Sequence, residues 1–211
     1  VIGIENYGIW FSHGEDAIID GNTVENAQEQ FEIAQDVKDV IVSNNISIGG
    51  NITVNNYLAY GNAQNIKFIG NTAKGSGYGF TISYSNGGCS NISIENSFID
   101  VLSDSGGTSH GIQIDGSSLY DTTDIRIINN YIRTSDPTGT SIKITGNNTV
   151  KDITIQGNHI YSPNYLGFYM DGKIGSKNLK ISNNIIKSRA GNLINNIIGL
   201  VFENNIVETQ L

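Results

Sequence analysis

An eight-residue phrase recurs along the chain, clearest at Ile125-Arg126-Ile127-Ile128-Asn129-Asn130-Tyr131-Ile132, with apolar first, third and eighth positions and Asn at the sixth. Seven further copies begin at Ala17, Val40, Ile66, Ile92, Ile153, Leu179 and Leu200. Across all eight, the sixth position is Asn22, Asn45, Asn71, Ser97, Asn130, Asn158, Asn184 and Asn205, at successive spacings of 23, 26, 26, 33, 28, 26 and 21 residues. Alternation of apolar and polar residues predicts a short strand in each copy, because successive strand side chains face opposite ways. A second strand is predicted upstream of each: Ile9-Trp10-Phe11, Phe31-Glu32-Ile33, Leu58-Ala59-Tyr60, Phe80-Thr81-Ile82, Ile112-Gln113-Ile114, Ile142-Lys143-Ile144, Phe168-Tyr169-Met170 and Leu193-Ile194-Asn195. A third follows the Asn, as in Ile46-Ser47-Ile48, Ile99-Asp100-Val101 and Ile132-Arg133.

Three strands per repeat make a coil too small to bury its own apolar face, so the coils must stack. Eight coils at a strand spacing of ~4.8 Å give a rod of about 38 Å. Apolar residues at three- and four-residue intervals are always interrupted by Gly or paired Asn, so no long helix is expected. An antiparallel sandwich would not require the same residue type at one place in every repeat. A parallel stack does, because equivalent positions lie above one another and their amides can form a ladder along the axis. The same asparagines are expected to take the left-handed conformation of the turn. The reading is therefore all-β, a single parallel β-helix domain of about eight three-stranded coils over residues 1–211.

The repeated phrase resembles the right-handed parallel β-helix repeat of the pectate-lyase-like superfamily, which includes pectate lyases, polygalacturonases, alginate-acting enzymes and bacteriophage tailspikes. What the resemblance implies is a polysaccharide partner, cleavage by hydrolysis or elimination, and an extracellular or virion-surface location. A noncatalytic shaft or adhesin segment is the other reading. No resident cofactor is implied, although a lyase could use calcium. The polygalacturonase signature is matched only in part, by Ser109-His110-Gly111 and Ser141-Ile142-Lys143.

Composition narrows the partners. A net charge of −8 argues against nucleic acid, which would call for clustered Lys and Arg. No apolar run approaches the ~20 residues of a membrane-spanning helix. The single cysteine, Cys89, rules out an internal disulfide framework, and no Cys/His cluster has zinc spacing. The opening Val1-Ile2-Gly3-Ile4 and the closing Ile206-Val207-Glu208 both read like the middle of a coil, so a longer polypeptide is expected.

With apolar stacks inside, chemistry must use outward positions and long turns. Aligning the upstream strands predicts one outward column of Trp10, Glu32, Ala59, Thr81, Gln113, Lys143, Tyr169 and Ile194. A second runs Ser12, Ala34, Gly61, Ser83, Asp115, Thr145, Asp171 and Asn196. Asp115 and Asp171 then lie two coils apart, roughly 9.6 Å by strand spacing. That is near the upper end of the ~6.5–9.5 Å for an acid and base flanking a bond and a water. His110 could assist them. For elimination on a uronic acid sugar, Lys143 would be the base, Tyr169 or His110 the acid, and the aspartates a cation site. Against this stands the turn preference of Asp-Gly, which both aspartates open (Asp115-Gly116 and Asp171-Gly172).

Two further regions are candidates for substrate binding. Trp10 and Glu32, with His13, Glu15 and Asp16 nearby, offer an aromatic surface beside carboxylates. The strand after the Asn gives an outward series of Glu25, Ser47, Lys74, Asp100, Arg133, Tyr161, Lys187 and Glu208. Its Lys74, Arg133, Tyr161 and Lys187 form a basic and aromatic stripe that could hold an anionic polymer or simply protect a sheet surface. Gln113 completes the binding set. The long connections at 100–110 and 131–141 border this region. Outward Ile18, Ile41 and Val201 would leave room for a homotrimer of the tailspike kind.

Overall fold

A computed structural model describes residues 6–51, 53–84, 86–102, 108–117, 119–147, 150–173, 177–195 and 197–209. Their strands form three eight-stranded sheets, and each sheet takes every third strand in chain order. All strand pairings are parallel, so the chain passes through the three sheets in turn and then returns to the first, one rung further on. The first rung is Tyr7–Ser12, Glu15–Asp20 and Thr23–Glu25; the eighth is Leu193–Asn195, Val201–Glu203 and Ile206–Thr209. The predicted parallel β-solenoid is the fold, and no helix occurs among the described residues.

Inward positions align into apolar columns. The second sheet stacks Val40, Ile66, Ile92, Ile125, Ile153 and Leu179, all at most 3% exposed. The third stacks Ile99, Ile132, Ile160 and Ile186, all fully buried. Like-on-like stacking of β-branched side chains suits a pleated surface, and each buried Ile contributes about 1.5–3 kcal/mol relative to exposure. Cys89 is part of this core. Its thiol lies 3.1 Å from the Ser83 carbonyl, and burial pushes its pKa up to about 12, so it is an apolar packing group and not a nucleophile.

The asparagine ladder is present. Asn130 Nδ2 and its backbone N–H both donate to Asn158 Oδ1, at 3.0 and 2.9 Å. Asn158 donates likewise to Asn184, and Asn184 to Asn205. Each amide also donates to a carbonyl of the preceding rung, as Asn158 does to Ile127. The shorter Ser97 keeps only the backbone links, from Asn71 at 3.2 Å and to Asn130 at 2.8 Å.

The left-handed conformation falls elsewhere than expected. It belongs to the fifth position, where Gly21, Asn44, Gly70, Asn96, Asn129, Gly157, Asn183 and Asn204 all have positive φ. Tight turning is thus assigned to one residue and cross-rung bonding to the next. A second left-handed column stands just before each copy: Asp16, Asp39, Asn65, Asn91, Asp124, Asp152, Asn178 and Gly199. It carries partial rungs of its own, Asn65 donating to Asp39 at 2.7 Å and Asn91 to Asn65 at 2.8 Å.

Three register expectations and one turn expectation are corrected. In the third rung, Leu58 and not Ala59 joins the outward column, and Tyr60 replaces Gly61 in the next. The cause is Tyr57, whose ring stacks between Phe31 and Phe80 at 4.9 and 4.6 Å while its hydroxyl donates to the Asn45 and Thr72 carbonyls. In the eighth rung, Leu193 and Asn195 hold the outward columns, Ile194 pairs with the inward Met170, and Asn196 lies outside the described residues. In the second rung, Ser47 faces inward and bonds Asn56 at 2.6 Å, leaving Ile46 and Ile48 outside. Asn45 fixes this register through the ladder. Finally, both Asp-Gly pairs lie within strands, Ile112–Gly116 and Phe168–Lys173, and not in turns. Gly116, Gly146 and Gly172 stack in register there, and a Cβ on Gly146 would meet Val150 at 2.8 Å.

Candidate functional site

The outward surface of the first sheet carries the recessed polar chemistry. Its strands align Gln113, Lys143 and Tyr169 in one column and Asp115, Thr145 and Asp171 in the next. The two aspartates therefore share a flank two rungs apart, about 9.6 Å by strand spacing. Asp115 is oriented from both sides: Gln113 Nε2 donates to Oδ2 and Thr145 Oγ1 to Oδ1, each at 2.6 Å. An open recess of about 610 Å³ lies over them, lined also by Ser83, Tyr84 and Tyr169.

A second recess of about 400 Å³ adjoins it, sharing Thr145 and Tyr169, and is lined by His110, Lys143, Tyr78 and Tyr165. His110 is 3% exposed, and Tyr78 stacks on it at 5.5 Å. Asp136 holds the local backbone: Oδ2 accepts from Ser109 N at 2.8 Å and Oδ1 from Thr138 N at 2.7 Å. Burial would raise the Asp136 carboxyl, but these hydrogen bonds outweigh it and keep its pKa below the usual range. Thr140 N donates to His110 Nδ1 at 3.0 Å, so the ring proton belongs on Nε2. Burial, followed by the nearby Lys143 charge, pushes the imidazole down to about 4, with the Asp136 charge acting the other way. His110 is thus neutral at neutral pH, a hydrogen-bonding group and not an imidazolium acid.

The early rungs form a third recess of about 340 Å³ that meets the first at Ser83 and is lined by Tyr7, Glu29, Glu32, Asn55, Tyr60 and Thr81. Trp10 is half exposed and stacks with Tyr7 at 5.2 Å, while its register partner Glu32 is only 2% exposed. Burial pushes Glu29 up to about 7, opposed by a hydrogen bond with Asn55 and aided by the Glu32 charge. Glu32 is likewise raised by burial and bonded to Tyr60. His13 and Glu15 line a different recess, with Asp36 and Lys38, and do not join Trp10 and Glu32 there.

The third-sheet stripe has the predicted register from Lys74 to Glu208, and its charges pair or stack with one another. Arg133 pairs with Asp100 at 3.6 Å and lies over Tyr161; Lys187 pairs with Glu208 at 3.0 Å; Lys74 lies over Phe98. Phe98 and Tyr131 stack at 5.2 Å with planes 3° apart.

Sequence reasoning overlooked Glu29, Tyr60 and Asp136. Glu29 could have been found as the carboxylate three residues before Glu32. Asp136 gives no signal, because its role depends on the path of a long connection. Among the described residues, no group of three or more His, Cys, Asp or Glu side chains is arranged to hold a metal ion, so a calcium cage built around Asp115 and Asp171 has no third acidic ligand in place. No protein-family model matches the chain, and no curated protein matches it significantly.

Proposed function

We propose that the protein binds a polysaccharide along the first-sheet groove and cleaves it by hydrolysis, in the manner of right-handed pectate-lyase-like β-helices of the tailspike or depolymerase kind. The observation that carries this reading is the pair Asp115 and Asp171, on one flank of an open groove and two rungs apart. At about 9.6 Å the pair leaves room for a water beside the scissile bond, one carboxyl protonating the leaving oxygen and the other activating that water. Tyr7 and Trp10 extend the groove with aromatic surface suited to the apolar faces of sugar rings. An extracellular or virion-surface setting fits such a substrate. A tailspike-like trimer would pack through the end rungs, because the column Ile18, Ile41, Lys67, Ser93, Arg126, Thr154, Lys180, Val201 is apolar only at its ends.

The test is a panel of capsular, pectic and alginate polysaccharides with products identified by mass spectrometry. Cleavage should be lost in Asp115→Asn and Asp171→Asn while circular dichroism is unchanged. Activity surviving in both variants would show that this pair is not the catalytic one, and binding without cleavage of any polymer would favour a noncatalytic rod.

A further inference from the structure

The outward face of the third sheet carries two columns of side chains, and their order becomes its own complement when reversed. One column is Thr72, Phe98, Tyr131, His159, Ile185 and Ile206, rung by rung. Phe98, Ile185 and Ile206 are 38%, 40% and 56% exposed, so apolar surface extends along much of the rod. The other column is Lys74, Asp100, Arg133, Tyr161, Lys187 and Glu208. Lys74 lies over the Phe98 ring and, among the described residues, joins no ion pair.

We infer that this face docks on the same face of a second copy, the two rods antiparallel about a twofold axis that runs along the strands between the Arg133 and Tyr161 rungs. Each column then meets itself in reverse order. Lys74 of either copy faces Glu208 of the other, Asp100 faces Lys187, and Arg133 faces the Tyr161 ring. In the apolar column Phe98 meets Ile185, Thr72 meets Ile206 and Tyr131 meets His159. No charge meets its like. Moving the axis half a rung sets Lys74 against Lys187 in one direction and Asp100 against Glu208 in the other. Parallel rods with the columns face to face would set every charge against itself. The pairs Arg133 with Asp100 and Lys187 with Glu208, already made within one chain, extend into longer alternating rows. An alternation that protects the face from other surfaces thus admits its own reverse. Six rungs at ~4.8 Å and four-residue strands at ~3.3 Å give a footprint of roughly 29 by 13 Å, well below the ~800 Å² per partner of a standard interface, so the association is reversible. The first-sheet grooves stay open on both copies, and the inference is independent of the polysaccharide reading.

The test is sedimentation velocity on the full chain over a wide concentration range, at low and at high salt. Dimers should form as concentration rises and weaken about tenfold or more at high salt. Glu208→Lys and Lys74→Glu should each weaken dimerisation about tenfold or more with circular dichroism unchanged, because both symmetry-related contacts become repulsive. An equimolar mixture of the two variants should recover the native affinity to within about threefold, since the mixed dimer has one native contact and one with both charges exchanged. A monomer at every concentration, a trimer unchanged in both variants, or a mixture that associates no more tightly than either variant alone would overturn the inference. So would loss of polysaccharide binding in Lys74→Glu with self-association unchanged, which would give the face to an anionic polymer.

Discussion

The first and third sheets are built from the same repeat and both face solvent, yet they treat their outward side chains in opposite ways. On the third sheet, Lys74, Arg133 and Lys187 lie against carboxylates or rings, and Phe98 lies against Tyr131. On the first, carboxylates are crowded into recesses and Lys143 is left without an ion pair among the described residues. A surface whose charges pair with one another protects the sheet; one that gathers carboxylates and a lysine without an ion pair into recesses has binding energy to offer. A candidate site on a solenoid is better sought where outward neighbours fail to pair than where charges are most numerous.

The largest effect should come from the groove: Asp171→Asn should lower cleavage of a responsive polymer by about 10²-fold or more, measured as initial rate. Next, Asn158→Ala removes an acceptor shared by two Asn130 donors and should cost about 2–4 kcal/mol in chemical denaturation. The converse change, Ser97→Asn, completes the one weak rung and should raise stability by about 0.5–1.5 kcal/mol. Glu29 gives a pH test. Its folded pKa, about 7, lies above its ordinary value of 4.5, so its contribution is present below about 4.5 and lost as pH rises through about 7. Glu29→Gln should therefore raise Tm by about 2–4 °C at pH 8, after allowance for solvent screening, and hardly at pH 4.5. The smallest effect belongs to the third sheet, where Lys187→Gln should change stability by under about 1 kcal/mol and leave cleavage unchanged. A large loss of cleavage there would erase the contrast between the two surfaces.

Periodic features were legible in the sequence because each is reinforced at every rung. The phrase, the ladder and the register of Asp115 with Asp171 all follow from equivalent residues lying one above another. The second left-handed column was equally legible, since Asp, Asn or Gly precedes every copy of the phrase, but attention to apolar positions passes over it. Errors arose where one rung departs from the average. Tyr57 captures the third rung because a stacked, hydrogen-bonded ring outweighs the Leu58-Ala59-Tyr60 alternation. Within the candidate site, the Asp115 neighbours could be read from strand alignment. The seating of His110 against Thr140 and the burial of Glu32 could not, because both depend on connections that obey no repeat.

The column alignment of Asp115, Thr145 and Asp171 makes distance on this scaffold a whole-number quantity, changing in steps of about 4.8 Å. Excising one complete repeat, residues 142–167, while keeping register would halve the gap between the acids from about 9.6 to about 4.8 Å, close to the ~5–5.5 Å that suits double displacement through a covalent glycosyl intermediate. Under the hydrolase proposal, losing this single module would move the pair from a spacing suited to inversion of anomeric configuration to one suited to retention, with Asp171 taking the place of Thr145 beside Asp115.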